Sequence, residues 1–180
     1  MADRIFFKIQ GEQQGLISAG ASSEDSLGND HQENHQDEIY VQAFKHIITR
    51  PVDPRSGQPA GPRAHKPITI TKYVDKSSPL LYSALVTGEG LKECVLKFYR
   101  DTNKKPNQHY FTITLTNARI VDITASRPTM LNLIEFRDPN AVVPPISYLE
   151  DVSLSYSKIE WHHEVANTQA LDDTTKPAGS

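Results

Sequence analysis

Two stretches of this chain alternate apolar and polar residues and then change phase part-way, a pattern that restricts the fold more than any other feature. Ile39, Val41 and Ala43 share one parity before Phe44, His46 and Ile48 take the other; Val152, Leu154 and Tyr156 give way to Ile159 and Trp161. A two-residue period belongs to a strand with one buried face. In a regular strand the slip would turn half the apolar set to water, so each change marks a bulge or strong twist, the second placed at Ser157-Lys158. Phe111, Ile113 and Leu115 begin a third run that continues to Ile123 through Asn117-Ala118-Arg119, and residues 4 to 10 read as another strand. Long bulged strands bend sheets until they close. The expected fold is mainly β, a barrel of two bent antiparallel sheets with long loops.

One segment breaks the β pattern. After Ile68, Ile70 and Tyr73-Val74 come Asp75, Ser77 and Ser78, whose side-chain oxygens suit the free amides of a helix's first turn, and Pro79, which suits a position whose N–H is orphaned. Leu80, Leu81, Ala84 and Leu85 then fall on one helical face, and Gly88 is a left-handed stop. This predicts one helix, about residues 79–87, on the side of the barrel. Ser77 and Ser78 read as caps and not as nucleophiles, because the stretch lacks the Gly-x-Ser-x-Gly elbow that presents a catalytic hydroxyl.

The chain's 180 residues fit one domain, expected over residues 1–165, with a polar, frayed tail at 166–180. Nineteen basic against twenty-two acidic side chains leave a formal charge of −3, which argues against a nucleic-acid partner bound through clustered Lys and Arg. Ile5-Phe6-Phe7 is interrupted by Lys8, too short an apolar run for a signal peptide, and no stretch reaches the roughly eighteen apolar residues of a membrane span. The expectation is a protein made in the cytoplasm with no membrane insertion. Cys94, the single cysteine, alternates with Leu96 and Phe98 and reads as buried filler.

Two loops differ in charge. Residues 11 to 37 are rich in Gly, Ser, Asn and Gln, too polar to pack as a core element. Glu24, Asp25, Asp30, Glu33, Asp37 and Glu38 make this region acidic, and His31 and His35 lie four apart within it. That spacing would suit zinc only on a helix, and no helical apolar face is present, so a solvated acidic loop is the reading taken. Residues 50 to 67 hold Pro51, Pro54, Pro59, Pro62 and Pro67, which deny helix and central strand alike. Arg50, Arg55, Arg63, His65 and Lys66 make this loop basic, against Asp53 alone. His162 and His163 are adjacent and on a strand point to opposite faces, so they cannot chelate one ion.

The run Thr71-Lys72-Tyr73-Val74-Asp75-Lys76-Ser77-Ser78-Pro79-Leu80-Leu81 resembles the core signature of the Hcp family (hemolysin-coregulated protein), the tube-forming proteins of bacterial type VI secretion systems. Arg4 to Gly11, Gly15 to Gly20, Phe98-Tyr99-Arg100, Tyr110-Phe111, Leu115 to Ile120 and Leu154 to Trp161 are similar to other family segments in the same order. The resemblance covers about residues 3 to 165. It implies a barrel whose copies assemble into a hexameric ring and stack into a tube. Its implied partners are the spike protein, the sheath and secreted effectors, and its implied route is leaderless secretion. It also implies that Arg50, Asp53, Arg55, Arg63, His65 and Lys66 lie in an extended loop reaching a neighbouring protomer or ring, and that Lys72, Asp75, Ser77, Ser78 and Pro79 form the signature helix start.

No acid/base set, metal spacing or phosphate loop supports an enzyme, so no catalytic residue and no cofactor is assigned. The alternative class is a monomeric β-barrel binding or accessory module without tube assembly.

Overall fold

The computed structural model describes residues 3–127 and 148–176. Eight strands form one antiparallel sheet: β1 (Arg4–Gly11), β2 (Ile39–Lys45), β5 (Ile68–Tyr73), β6 (Leu91–Arg100), β7 (Gln108–Ser126), β8 (Leu149–Ser155), β9 (Lys158–His163) and β10 (Thr168–Asp173). Two short strands, β3 (Ile48–Thr49) and β4 (Ala64–His65), pair separately. Among the described residues the α-helices are α1 (Glu24–Leu27), a single turn, and α2 (Ser78–Thr87), and two short 3-10 turns, Gly28–Asp30 and Glu33–His35, follow α1.

Strand neighbours run β10-β9-β7-β6-β1-β2-β5-β8, and β8 pairs back onto β7, so the strands from β7 round to β8 close into a barrel. The length of β7, 19 residues, makes closure possible. Its first half pairs β9 from Phe111 to Thr116; its second half pairs β8 from Arg119 to Ser126. Between them Asn117 has φ 50°, a left-handed conformation that asparagine tolerates better than most residues, and the strand turns there. Register shifts at Val41/Ala43 in β2 and Ile120/Asp122 in β7 add curvature.

The phase change expected in residues 39–48 is the bulge at Val41/Ala43. The one placed at Ser157-Lys158 is instead a corner: the chain leaves β8 at Ser155, bonds Ser157 N–H to the Thr116 carbonyl, and restarts as β9. Periodicity sees only the slip; whether one strand bulges or two meet depends on the partner, here the turning β7.

The barrel interior holds Phe7, Ile9, Ile39, Ile68, Ile70, Leu96, Leu115, Val152 and Leu154, and α2 adds Leu81 and Ala84 while leaving Val86 exposed. Cys94 is fully buried among them, and burial raises its thiol pKa, so it is an inert apolar filler as expected. The tail is a correction. Residues 168–173 are β10, which pairs with β9 through its whole length; residues 177–180 lie outside the described residues.

The 11–37 segment is also a correction. Phe6 and Phe7 have opposite parity on β1, yet both are fully buried. Phe7 faces the interior, whereas Phe6 faces outward and is covered by the strap of residues 16–38, with the His35 ring stacked on it at 3.7 Å. Ile17 and Ala21 join the core cluster. The strap's polar residues bond backbone: Ser18 Oγ accepts from the Ile9 N–H at 3.2 Å and Ser22 Oγ donates to the Glu38 carbonyl at 2.5 Å.

Candidate functional site

The signature segment carries a buried ionic joint. In β5 the inward positions are Ile68, Ile70 and Lys72, so a lysine stands where the strand's period calls for an apolar side chain, and it is fully buried. Directly opposite on β8 is Glu150, 2% exposed and on the inward face with Val152 and Leu154. Lys72 Nζ donates to Glu150 Oε2 at 3.0 Å, Ser78 Oγ at 3.0 Å and the Tyr73 carbonyl at 2.8 Å, and lies 3.1 Å from Asp75 Oδ1. Ser78 Oγ donates to Glu150 at 2.6 Å and accepts from the Asp75 N–H at 3.0 Å. Asp75 Oδ1 accepts from the Ser77 N–H and hydroxyl at 2.8 and 2.6 Å. One cation and two carboxylates therefore join β5, the start of α2 and β8.

This geometry corrects the cap reading. The helix starts and stops where expected, with Gly88 left-handed at φ 69°, but Ser77 makes no side-chain cap bond and the Ser78 hydroxyl turns into the joint. Pro79 occupies the first turn as expected. Ser78 and Lys72 bond each other and Glu150, and Lys72 Nζ also bonds the Tyr73 carbonyl, so both side chains are engaged within the joint. Glu150 was absent from the expected set because it lies far along the chain from the motif; a glutamate on the inward parity of an apolar strand was its one sequence signal.

The proline-rich loop is a hairpin. Beyond β3 and β4, Val52 bridges Pro59, the Asp53 N–H bonds the Gln58 carbonyl, and Gly57 turns at φ 68°. Asp53 Oδ1 accepts from the Arg55 N–H at 2.8 Å, so it shapes the tip. Arg63 and His65 have partners inside the protomer. Arg63 Nε donates to Asp172 Oδ2 on β10, and its Nη2 to the carbonyls of Asp173 and Lys176. His65 Nε2 bonds the same Asp172 oxygen at 2.7 Å. The Arg63 hydrogen bond, chiefly, holds the Asp172 carboxyl below the usual range against the opposing effect of burial. Arg50, Arg55 and Lys66 are exposed, with no ion pair among the described residues.

Part of the acidic loop is likewise occupied. Glu38 pairs with Lys97 and with His35 Nδ1 at 2.6 Å, and Asp37 accepts from the Gly20 N–H at 2.9 Å. Glu24, Asp25, Asp30 and Glu33 stay exposed. Burial would raise the Glu38 carboxyl, but Lys97 and His35 outweigh it and hold the pKa below 4.5. A depressed carboxyl stabilises the fold fully above that ordinary value and loses the contribution as pH falls through the folded-state value. Lys97→Met should therefore reduce the drop in urea midpoint between pH 5 and pH 3; an unchanged drop would remove Glu38 from the acid response.

Among the described residues no group of three or more His, Cys, Asp or Glu is placed to hold a metal. His163 lies beside Tyr110 and Phe111, while His162 turns to Glu164 at 3.1 Å.

A family model described as type VI secretion system effector, Hcp, matches residues 6–163, a span that includes the closed barrel, its side helix and the signature segment. The chain belongs to the Hcp family. It is 45% identical over 177 residues to the major exported protein of Pseudomonas aeruginosa, covering 98% of each chain. Its fold is similar to a crystal structure of an Hcp protein at 41% identity and TM-score 0.85, covering 96% of this chain and 99% of the other. The secreted protein Hcp3 from Pseudomonas aeruginosa is similar at 39% identity and TM-score 0.76, with 96% and 98% covered. In this Hcp chain the signature residues Lys72, Asp75, Ser77 and Ser78 are buried, while Arg50, Arg55 and Lys66 of the hairpin and Glu24, Asp25, Asp30 and Glu33 of the strap are exposed.

Proposed function

We propose that the chain is the structural subunit of a type VI secretion tube, in which six copies close into a ring and rings stack into a conduit. The tube is fired with the spike inside a contracting sheath and carries effectors in its lumen. The observation that carries this reading is the full-length match to Hcp relatives. The fold supports it. Barrel closure leaves the outer side of β10 as an unpaired sheet edge, where Leu171 is 56% exposed. An uncovered edge invites uncontrolled pairing, and a head-to-tail contact that closes by rotation covers it on every copy.

Axial contact is assigned to Arg50, Arg55 and Lys66 on the hairpin, facing Glu24, Asp25, Asp30 and Glu33 of the next ring. Asp53 shapes the tip, whereas Arg63 and His65 hold the hairpin to its own barrel and leave the contact set. Exposed pairs are individually weak and screened by salt, so stacking should fail before ring closure. Native mass spectrometry should show a closed six-fold ring; a dominant monomer at micromolar concentration would favour the accessory-module reading. Reversing Arg50, Arg55 and Lys66 to glutamate should leave rings intact but shorten tubes in electron micrographs and lower secretion. Unchanged tubes would discard the hairpin as the axial contact.

A further inference from the structure

Four groups from separate elements form one hydrogen-bonded line behind the hairpin. Asp172 of β10 bonds His65 Nε2 of β4 at 2.7 Å. His65 Nδ1 meets the hydroxyl of Tyr156, at the β8–β9 corner, at 2.8 Å. That hydroxyl also meets Nε2 of His46, between β2 and β3, at 2.7 Å. Arg63 braces Asp172 from the hairpin. His46 is walled by Phe44 of β2 and by Trp161 of β9, whose ring stacks on it at 6.3 Å. The titratable groups facing it are His65, with ring centroids 6.5 Å apart, and Tyr156; Asp172 and Arg63 act on it through His65.

The line has a proton limit that follows from counting donors. An ionised carboxylate only accepts, so His65 Nε2 carries hydrogen. Tyr156 has one hydrogen and sits between two ring nitrogens, so it donates to one and accepts from the other. With His65 neutral, Tyr156 donates to His65 Nδ1 and accepts from His46. With His65 charged, the hydroxyl reverses and donates to His46, which must then be neutral. With both charged, two N–H groups point at one hydroxyl, whose own hydrogen has no acceptor in the line. Two cations then also stand close together in a half-buried site.

We propose that this line is an acid-loosened latch: with at most one histidine charged it bonds the hairpin to the barrel in full, and with both charged its hold weakens, leaving the hairpin on the Arg63 contacts to β10 and the residues after it. Burial, and secondarily the charge of His65, hold His46 below its ordinary 6.5. A lowered histidine stabilises the closed form fully above that value and loses the contribution as pH falls below it. Burial and the nearby Asp172 carboxylate push Tyr156 up to about 12, so its hydroxyl keeps its proton throughout. The fold as a whole need not respond, because the line ties the hairpin and β10 and leaves the barrel's strand pairings intact. An effect on ring stacking rests on the axial reading of the hairpin; the latch itself does not.

Hydrogen exchange on the intact protein between pH 7.5 and pH 5, corrected for the intrinsic pH dependence of exchange, tests the proposal. The window stays above the range where Asp172 takes a proton. Hairpin amides, including the Lys66 N–H bonded to the Ile47 carbonyl, should lose about tenfold in protection at pH 5, the ratio for one hydrogen bond of ordinary strength. Core amides of β1 and β6 should hold as the internal standard. His46→Gln should remove the pH dependence, and Tyr156→Phe should raise hairpin exchange already at pH 7.5. Equal hairpin protection at both pH values in the unmodified protein, or the same pH dependence in His46→Gln, overturns the latch. Light scattering on the same samples separates the two readings. Hairpin opening without loss of stacking keeps the latch and discards the axial contact, whereas loss of stacking with a closed hairpin discards the latch.

Discussion

Replacing Lys72 with methionine is expected to destabilise the protein by about 3 to 5 kcal/mol, because it removes the one cation from a buried set of two carboxylates. Methionine fills the space but supplies no donor, and Glu150, 2% exposed, is left with hydroxyl partners only, Ser78 and the neighbouring Tyr82. At fixed protein concentration the melting temperature should fall by roughly 10 °C. Lys72→Met combined with Glu150→Gln should lose less than the sum of the single changes, by about 1 to 3 kcal/mol, since glutamine removes the stranded charge while keeping a polar partner for Ser78. Asp75 should tolerate the double change better than Glu150 tolerates the single one, because Ser77 still satisfies its Oδ1. Additive losses would show that the two side chains stabilise the fold independently, contrary to a shared joint. The joint also ties the first residue of α2 to β5 and β8, so the single variant should loosen the start of the helix where it still folds.

Phe6→Ala is expected to lose about 3 to 5 kcal/mol, as for a fully buried aromatic, even though Phe6 faces away from the barrel interior. Its burial is made by the strap, through stacking with His35 at 3.7 Å, together with Tyr40 of β2 and Tyr99 of β6 at 5.5 and 5.7 Å between ring centroids. The loss should therefore appear first as faster hydrogen exchange in residues 16–38, ahead of the barrel strands. His35→Ala should show the same local loosening with a smaller drop in melting temperature, because the lost ring is partly exposed already. If Phe6→Ala left strap exchange unchanged, the strap would owe its position to Ile17, Ala21 and its hydrogen bonds to the barrel and not to Phe6.

The strap shows why local composition misleads. Ser18, Ser22 and Ser26 count as polar, but their hydroxyls bond the backbone at Ile9, Glu38, Ala21 and Lys76, and a serine so used can be buried without penalty. Nothing in residues 11 to 37 announces that Phe6 needs cover; the adjacent pair Phe6-Phe7, both apolar on opposite faces of one strand, was the available signal. Likewise the opposite charges of the two loops were legible, but Arg63, His65, Asp37 and Glu38 prove to be spoken for within the protomer, which narrows the exposed set to Arg50, Arg55 and Lys66 against Glu24, Asp25, Asp30 and Glu33.

By itself the sequence determined what short-range physics controls. Two-residue alternation defined the strands, the phase slip in β2 marked a real bulge, Pro79 and Gly88 bounded α2, and the ordered signature segments indicated the Hcp family. Tertiary structure alone decided the partnerships between distant residues. It made Tyr156-Ser157 a corner and not a bulge, turned Ser78 from a cap into a ligand of Lys72, brought Glu150 opposite that lysine, and built residues 168–173 into a strand that anchors the hairpin through Asp172. The reason is common to all four. A side chain's role depends on what lies across the sheet, and that neighbour is set by how β7 turns and closes the barrel, a property of the whole chain.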